Sequence, residues 1–280
     1  MSNIKFGSEV YTWFMDGYGE GNKNQLGHMI KTVGKAGFKG IEPMVLEPYD
    51  TYWMGDYKDP AKLKEALDEA GIELAALALI CQWDGEEETE SERACADWTI
   101  ETLKLFPGAA LGTVPLPGGR HSLQQRRLNL VNNVNRVSRR AAEAGLTCSF
   151  HPNSPPGSLV RTQEDYNVVL NSLDPAVTGW TPDVGHIVRG GMDVIDTMKH
   201  WQHLINHVHY KDFSGNGAEP WSQMGSGKVD FHQITEFLVQ RDYKGWIICE
   251  DECEDAITNP DQVTLQNGEW CNEQLVPLIG

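Results

Sequence analysis

The sequence predicts an α/β fold made of one domain, a single (β/α)8 TIM barrel over residues 1–280. Three observations predict it. Helical segments that end near a glycine recur along the chain, and each is followed at once by a short apolar run, as in KAGFKGIEPMV and AEAGLTCSFHP. Eight such runs alternate with helical segments, which is the pattern of parallel strands covered by helices. A chain of 280 residues also has a usual length for one closed barrel.

The eight apolar runs are predicted to be buried strands. A glycine just past the end of a helix takes the left-handed conformation that closes the helix, so each recurring phrase marks a helix-to-strand junction. The predicted strands start near residues 5 and 38 and at residues 72, 109, 146, 177, 204 and 245.

Two helices have complete start signals in the sequence. In DPAKLKEALDEAG, Asp59 is the predicted N-cap, and Pro60 takes the first helical position, where its missing N–H is harmless. In DFHQITEFLVQR, Asp230 is the predicted N-cap. The predicted buried faces are Leu63, Ala66, Leu67 and Ala70 in the first helix and Ile234, Phe237 and Leu238 in the second.

An open, doubly wound sheet is the structural alternative. Such a sheet would normally carry a GxGxxG turn after its first strand. The GYGEGN stretch at residues 17–22 has glycines without that spacing and is interpreted as a loop. No linker rich in serine or proline divides the chain, and HPNSPPGSLV at residues 151–160 is interpreted as a shaped loop over an active site. Closure into one barrel is therefore favoured.

Composition and charge exclude several functional classes. Lys and Arg number 23 against 40 Asp and Glu, a net charge of −17, so nucleic acid is not an expected partner. No apolar run is long enough to cross a bilayer and the first residues lack a secretory layout, which predicts a cytoplasmic protein without a membrane partner. The six cysteines form no CxxC pair and are predicted to be buried thiols. Nine tryptophans leave room for a homo-oligomer contact.

The stretch INHVHYKD, residues 205–212, points to function. If it is a strand, His207, His209 and Lys211 share one face, and Val208 and Tyr210 share the other. In a barrel, polar side chains at the carboxyl ends of the strands build the active site. His209 is therefore a candidate site residue and not ordinary core.

Other predicted strands also end in polar residues. Alternation places His151 on one face of the fifth strand with Ser149, and Glu250 on one face of the eighth strand with Ile248. If the opposite faces pack on helices, His151 and Glu250 point inward. The polar strand ends are Glu42 in strand two, His151 in strand five, Asp183 and His186 in strand six, His209 and Lys211 in strand seven, and Glu250 and Glu252 in strand eight.

Four of these side chains are predicted to hold one divalent cation. Two buried imidazoles and two buried carboxylates would be strongly unfavourable without a cation. Imidazole nitrogen and carboxylate oxygen suit Mn²⁺, Co²⁺, Mg²⁺ or Zn²⁺. A lone histidine or aspartate at a strand end is more often a structural residue, so the prediction depends on the four together. The predicted ligands are His151, Asp183, His209 and Glu250.

Three neighbouring residues have other predicted roles. His207 is interpreted as structural, since it lies one pleat deeper than His209. Asp212 is interpreted as an acceptor that orients the His209 ring. For Lys211 two roles stay open, contact with a substrate oxygen or pairing with a carboxylate.

The chain resembles the xylose isomerase-like TIM-barrel superfamily, which contains sugar phosphate isomerases and epimerases, and it is most similar to inosose dehydratase-like members. The resemblance is carried by FHPNSPPGS, PDVGHIVRGG, HVHYKD and KGWIICEDE, and it extends over essentially the whole chain. It implies a divalent metal held from strands five to eight, with His186 near a sugar or cyclitol substrate. By position, the implied ligands are His151, Asp183, His209 and Glu250.

One departure from the family pattern affects the expected reaction. Isomerase and epimerase members usually have a glutamate on strand five, where this chain has His151. Epimerisation is conveniently run by two carboxylates on opposite faces of the substrate, so this arrangement is in doubt here. Isomerisation, or elimination of a β-hydroxyl, needs only one principal base and a metal that stabilises the enolate oxygen.

The predicted function is that of a divalent-metal-dependent isomerase or epimerase of this family. The enzyme would remove a proton next to the carbonyl of a keto-sugar or cyclitol through a metal-stabilised enediolate, with Glu250 or Glu42 as base. His186 or Lys211 would handle the proton on oxygen. The alternative is a lyase of the inosose dehydratase type. Two further alternatives are a noncatalytic sugar-binding barrel and an abasic-site endonuclease. The net charge of −17 argues against the endonuclease.

Overall fold

The computed structural model describes residues 3–15, 25–46, 54–215 and 220–280. Within these ranges, strands and helices alternate along most of the chain. The strands are β1 (Ile4–Glu9), β2 (Gly40–Glu42), β3 (Met44–Leu46), β4 (Glu73–Leu74), β5 (Ala76–Cys81), β6 (Ala110–Pro115), β7 (Cys148–Phe150), β8 (Thr178–Trp180), β9 (Val208–Tyr210), β10 (Asp212–Phe213), β11 (Trp221–Ser222) and β12 (Gly245–Cys249). The α-helices are α1 (Leu26–Lys35), α2 (Pro60–Ala70), α3 (Glu90–Leu103), α4 (Leu123–Glu143), α5 (Gln163–Leu170), α6 (Val184–Arg189), α7 (Val194–His200), α8 (Phe231–Gln240), α9 (Glu254–Thr258) and α10 (Pro260–Gln274).

Two compact units share these elements. The first unit comprises Met1–Pro43, Thr51–Ala75 and Val208–Gly280, and the second comprises Met44–Asp50 and Ala76–His207. Each unit has one five-stranded parallel sheet. The strand order is β4-β2-β1-β12-β9 in the first unit and β3-β5-β6-β7-β8 in the second.

Close packing around β1 sets the register of the first sheet. Gly7 pairs with Gly40 on one side and with Ile248 on the other. A Cβ atom at position 7 would lie 2.9 Å from the Gly40 carbonyl oxygen and 2.8 Å from Ile248 Cδ1, so the close approach of these strands requires glycine. The resulting register places Glu9 beside Glu42 at the carboxyl ends of β1 and β2.

In the second sheet, backbone hydrogen bonds continue one residue past the ends of β7 and β8. The His151 N–H donates to the Thr113 carbonyl at 2.9 Å, and the Thr181 N–H donates to the Phe150 carbonyl at 2.9 Å. His151 and the segment that leads to Asp183 are therefore held by the sheet itself, which fixes where their side chains begin.

The core of the second unit contains an aromatic cluster. Tyr166, Trp180 and Trp201 are all buried, and their ring centroids lie 6.0 to 6.2 Å apart in tilted or edge-to-face contacts. Edge-to-face geometry brings the positive ring edge to the negative ring face, which stabilises such clusters beyond the area they bury.

All eight predicted strands are present, and two of them are interrupted. The second predicted strand is divided into β2 and β3 by Pro43, which has no N–H to donate to a sheet. The third is divided into β4 and β5 at Ala75. The antiparallel hairpin of β10 and β11 was not expected from the sequence. The GYGEGN stretch at residues 17–22 lies outside the described residues.

The two helix starts predicted from sequence are confirmed. The Asp59 carboxylate accepts from the Ala61 N–H at 2.9 Å at the start of α2, and the Asp230 carboxylate accepts from the Gln233 N–H at 3.0 Å at the start of α8. On the predicted apolar faces, Ala70 and Phe237 are half-buried, whereas the other members are buried.

All six cysteines are buried, as predicted. None of the helices in the described ranges is both long and apolar enough to span a bilayer.

Candidate metal centre

The first unit brings four site residues together at the carboxyl ends of β1, β2, β9 and β12. Glu9, Glu42, His209 and Glu250 are all buried. His209 Nε2 lies 3.2 Å from Glu42 Oε2, and His209 Nδ1 lies 3.3 Å from Glu250 Oε2. The His209 imidazole, predicted at the carboxyl end of the seventh strand, therefore lies between two carboxylates.

Lys211 completes this first cluster with Glu252. Its ammonium lies 2.5 Å from Glu250 Oε1 and 2.5 Å from Glu252 Oε1, and 5.0 Å from the centroid of the Trp221 ring. The side chain of Lys211 is 1% exposed. Of the two roles left open for Lys211, pairing with carboxylates is the one seen in its contacts. The first cluster is Glu9, Glu42, His209, Lys211, Glu250 and Glu252.

Negative charge exceeds positive charge in the first cluster, and the pKa directions reflect this. Burial, followed by the nearby charge of Glu250, raises the pKa of Glu9 well above its ordinary value. Burial also raises the pKa of Glu252 to about 7, although the ammonium of Lys211 acts to lower it. Burial alone would lower the pKa of His209, but the charge of Glu42 and hydrogen bonds with Glu250 and Glu42 raise it well above its ordinary value. The surplus negative charge of the first cluster therefore favours the binding of additional positive charge.

The second unit holds its own group of site residues after β7 and β8. His151 Nε2 lies 3.6 Å from Asp183 Oδ2, and His186 Nε2 lies 3.8 Å from the same oxygen. Asp183 is the N-cap of α6, because its Oδ1 accepts from the His186 N–H at 2.8 Å. The His151 and His186 rings meet edge to face at a centroid distance of 6.0 Å. With Ser154, whose Oγ lies 2.8 Å from His186 Nδ1, these residues form the second cluster.

The proline-rich loop after β7 is fixed by hydrogen bonds to the loop after β6. Asn153 donates through Nδ2 to the Pro115 carbonyl at 2.8 Å, and its Oδ1 accepts from the Ser158 hydroxyl. Gly119 N–H donates to the Gly157 carbonyl at 2.9 Å. The loop that carries Ser154 is thus attached to its neighbour on both sides of that residue.

A buried carboxylate anchors the same loop. Asp165 accepts from Arg120 at 2.9 and 3.2 Å and also from Arg127, and it is fully buried. It accepts from the backbone N–H groups of Arg161 and Thr162, each at 2.9 Å. Arg120 in turn donates to the Ser158 carbonyl at 2.7 Å.

Asp212 has a different environment from the one expected. Its carboxylate accepts from the backbone N–H groups of Phe213, Gly225, Gly227 and Val229 at 2.8 to 3.2 Å. These contacts hold the turn after β11, so the interpretation of Asp212 as the residue that orients His209 is wrong. His207 is buried, and its structural role stays a prediction.

Sequence reasoning missed two members of the clusters. Glu9 ends β1 and pairs in register with Glu42, and the same rule that selected the other strand ends could have selected it. Ser154 could not be selected in this way, because its partner His186 belongs to a helix 32 positions further along the chain.

The donor atoms in each cluster fit a divalent cation. Two ligand atoms of one cation, each at about 2.1 Å from it, stand about 3.0 to 3.4 Å apart. The nitrogen–oxygen distance is 3.3 Å for His209 and Glu250, inside this range, and 3.6 Å for His151 and Asp183, slightly above it. Each pair combines one imidazole with one carboxylate, and all four side chains are buried.

Comparison with known proteins places the chain in a family. The family described as "Xylose isomerase-like TIM barrel" matches residues 30–274. The chain is 24% identical over 300 residues to an inosose dehydratase of Clostridium botulinum (strain Alaska E43 / Type E3), with 97% of each chain covered. Its fold is similar to that of the IolI protein with a bound zinc atom, at a TM-score of 0.75, 16% identity and 98% of each chain covered. It is also similar to 3-keto-D-glucoside 4-epimerase from E. coli in apo form, at a TM-score of 0.70, 18% identity and 96% and 99% of the two chains covered.

The family match extends over most of the chain and includes every member of the two clusters except Glu9. It confirms the predicted fold class, an α/β TIM barrel, and the similarity to inosose dehydratases and to 3-keto-D-glucoside 4-epimerase confirms the prediction that the protein is an enzyme. The chain belongs to the xylose isomerase-like TIM-barrel family.

Proposed function

We propose that the chain is a divalent-metal-dependent lyase that removes a proton next to the carbonyl of a keto-cyclitol or keto-sugar and eliminates the β-hydroxyl as water. The observation that carries the proposal is the unequal distribution of carboxylates. Glu9, Glu42, Glu250 and Glu252 belong to the first cluster, whereas Asp183 is the one carboxylate assigned to the second, beside two imidazoles. One cluster rich in carboxylates and one rich in imidazoles suit elimination better than an exchange of protons between two carboxylates.

In this proposal one cation is held by His151, Asp183, His209 and Glu250 together. Mn²⁺ is our first choice, with Co²⁺, Mg²⁺ and Zn²⁺ as alternatives. The bound cation would supply Lewis acidity at the substrate carbonyl. The zinc atom bound to the IolI protein, whose fold is similar, supports a divalent metal in this chain.

Three other residues of the clusters, Glu42, Lys211 and His186, would move protons. Glu42 is our choice of base over Glu250, because Glu250 is one of the four proposed ligands of the cation and Glu42 lies beside the proposed ligand His209. Its carboxylate would take the proton from the carbon next to the carbonyl. Lys211, an ammonium, or His186 would give a proton to the departing hydroxyl, so that the substrate loses one water in total.

Metal content tests the ligand assignment. We expect purified wild-type protein loaded with Mn²⁺ to retain one ion per chain after gel filtration, measured by inductively coupled plasma mass spectrometry. His209→Asn and Asp183→Asn should lose the ion and the activity together, whereas Glu42→Gln should keep the ion and lose turnover. His200→Asn is a matched control, since His200 is exposed and outside both clusters. Wild-type metal content in the His209 or Asp183 variant would refute the assignment.

Proton NMR in D₂O with Mn²⁺ tests the reaction. An inosose, a ketose and a 3-keto-glycoside are each incubated with the enzyme. An unsaturated product supports elimination. A rearranged or epimerised sugar that carries solvent deuterium supports the second candidate, isomerisation or epimerisation, which is favoured by the fold shared with 3-keto-D-glucoside 4-epimerase. Saturable binding with no product from any of the three would contradict both and indicate a sugar-binding barrel.

We also infer that one barrel domain spans residues 1–280 and that its partner is a small molecule and not nucleic acid. The family match over residues 30–274 supports the first statement, and the net charge of −17 supports the second. A cytoplasmic location and a homo-oligomeric state stay predictions. Light scattering coupled to gel filtration gives the oligomeric state, and an electrophoretic assay with abasic DNA tests the nucleic-acid statement.

A further inference from the structure

Ser154 makes a contact to which the proposed function assigns no role. It lies in the loop after β7, three residues beyond His151, and is fully buried. Its Oγ lies 2.8 Å from His186 Nδ1. A histidine that acts on substrate is sensitive to such a contact, because the partner of one ring nitrogen decides which nitrogen carries the proton.

We propose that Ser154 is a positioning residue that holds neutral His186 in the tautomer with its proton on Nε2. In the part of the chain that the structure describes, His186 Nδ1 is the hydrogen-bond partner of the Ser154 hydroxyl. If Ser154 accepted from an Nδ1–H, its own O–H would be buried without an acceptor. If the Ser154 hydroxyl instead donates to His186 Nδ1, only lone pairs on Ser154 Oγ stay unused. Buried donors are left unsatisfied far more rarely than buried acceptors, so this arrangement is favoured.

The other side of the ring favours the same tautomer. His186 Nε2 faces Asp183 Oδ2 at 3.8 Å. A proton on Nε2 turns the positive end of an N–H dipole toward this carboxylate, whereas a lone pair there would face negative charge. The His186 backbone N–H donates to Asp183 Oδ1 at 2.8 Å in the first turn of α6, which fixes the backbone from which the ring projects.

The loop holds the Ser154 hydroxyl in place for this role. Asn153, the preceding residue, donates to the Pro115 carbonyl at 2.8 Å and accepts from Ser158. The Ser158 carbonyl accepts from Arg120 at 2.7 Å, and Arg120 is bound to the buried Asp165. The hydroxyl is thus part of a fixed loop, which restricts the positions it can take relative to the ring.

The consequence, which rests on the proposed function, is a division of labour between two proton donors. A neutral imidazole with its proton on Nε2 can donate a hydrogen bond to a substrate oxygen as charge develops there, without giving the proton away. His186 would then polarise the substrate, and delivery of a full proton to the departing hydroxyl would fall to Lys211.

The test is the tautomer itself, read from long-range ¹H–¹⁵N correlations of the imidazole rings in metal-free protein labelled with ¹⁵N-histidine. The signals of His186 are those absent from His186→Gln. In the wild type we expect Nδ1 to resonate as an unprotonated nitrogen and Nε2 as a protonated one. In Ser154→Ala we expect the Nδ1 and Nε2 resonances of His186 to move toward the average of the two tautomers. In Ser154→Thr, which keeps a hydroxyl, we expect both resonances to return toward their wild-type positions.

Ser138→Ala is the matched control. It removes another buried hydroxyl of the same unit, which contacts Cys148 Sγ at 3.1 Å, and should leave the His186 signals unchanged. A proton on Nδ1 in the wild type, or unchanged signals in Ser154→Ala, would overturn the proposal. If a variant fails to fold, the wild-type spectrum alone tests the proposal, because it shows which ring nitrogen of His186 carries the proton.

Kinetics then separates this inference from the proposed function. With a substrate that is turned over, Ser154→Ala should lower kcat/KM about threefold to tenfold, the effect of one lost hydrogen bond, and Ser154→Thr should restore part of it. A changed tautomer with unchanged kcat/KM would overturn the positioning role. An expected tautomer in a protein that binds no metal and has no activity would instead overturn the proposed function and leave the Ser154 contact established.

Discussion

Replacing Asp165 with asparagine should strongly destabilise the second unit. Its carboxylate accepts from five N–H groups, two on Arg120, one on Arg127 and the backbone groups of Arg161 and Thr162. Asparagine has the same shape but offers one oxygen instead of two, and its amide N–H groups would face donors. Arg127, whose side chain is 6% exposed, would lose its buried counter-charge.

Two independent routes give the size of the effect. Removing one partner of a buried ion pair costs about 3–5 kcal/mol, because the other charge stays buried. The second route counts hydrogen bonds. If the asparagine amide group replaces Oδ1, the two donors to that oxygen, one on Arg120 and one on Arg127, lose a charged acceptor. At about 1.5–3 kcal/mol each, the loss is about 3–6 kcal/mol. For a large domain a loss of about 3–6 kcal/mol lowers the melting temperature by about 6–24 °C.

The effect should depend on pH in a definite direction. Burial by itself would raise the pKa of Asp165, but hydrogen bonds from Arg120 and from the backbone of Arg161 and Thr162 lower it below its ordinary value. A lowered folded-state pKa contributes stability that is present above the unfolded-state pKa and lost as the pH falls through the folded-state pKa. The difference in the free energy of unfolding between the wild type and Asp165→Asn should therefore be constant from pH 7 to 5 and become smaller below about pH 4.

Urea unfolding followed by circular dichroism at pH 7, 5.5 and 3.5 measures this difference. Glu101→Gln serves as control, since it breaks an exposed pair with Lys104 at 2.8 Å and should change the stability by about 0.5 kcal/mol or less. An Asp165→Asn midpoint close to that of the wild type at pH 7, or a gap that stays constant to pH 3.5, would refute the reasoning.

Three further predictions concern other parts of the chain. Lys211→Met should bind Mn²⁺ at least as tightly as the wild type in calorimetry, because no ammonium then competes with the cation for Glu250. Its turnover should fall about 100-fold, and retained turnover would rule out Lys211 as proton donor. Gly7→Ala should cost about 1–3 kcal/mol in urea unfolding, because its Cβ would overlap Gly40 and Ile248, and an unchanged midpoint would contradict the register of β1. The six buried cysteines should resist a thiol reagent in the folded protein and all react in denaturant; rapid labelling of any in the folded state would contradict its burial.

The strands and four of the strand-end residues were predictable because both follow from short-range rules. Alternation along a strand has a period of two, and the carboxyl ends of parallel strands lie at one edge of a sheet. These rules selected His151 and Asp183, which lie together in the second unit, and His209 and Glu250, which lie together in the first.

What could not be predicted depends on contacts between distant segments. Asp212 was assigned to the nearest histidine, but its partners are backbone groups of Gly225, Gly227 and Val229, which no local pattern connects to it. The pairing of Lys211 with Glu252 and of Ser154 with His186 likewise joins residues 41 and 32 positions apart. Nothing in either local sequence specifies the partner.

The position of β12 in the first sheet has a consequence for synthesis on the ribosome. β12 lies between β1 and β9, and it pairs with β1 from Ile4 and Gly245 onward. β1 is translated before β12, and the edge of β1 that pairs with β12 stays open until the nascent chain has grown to Cys249, roughly 10–50 s later at ordinary elongation rates. The strands of the second sheet all lie between Met44 and Trp180, so that sheet can assemble while translation continues. The pairing of β1 with β12 is therefore a late step, completed after all strands of the second sheet have been synthesised.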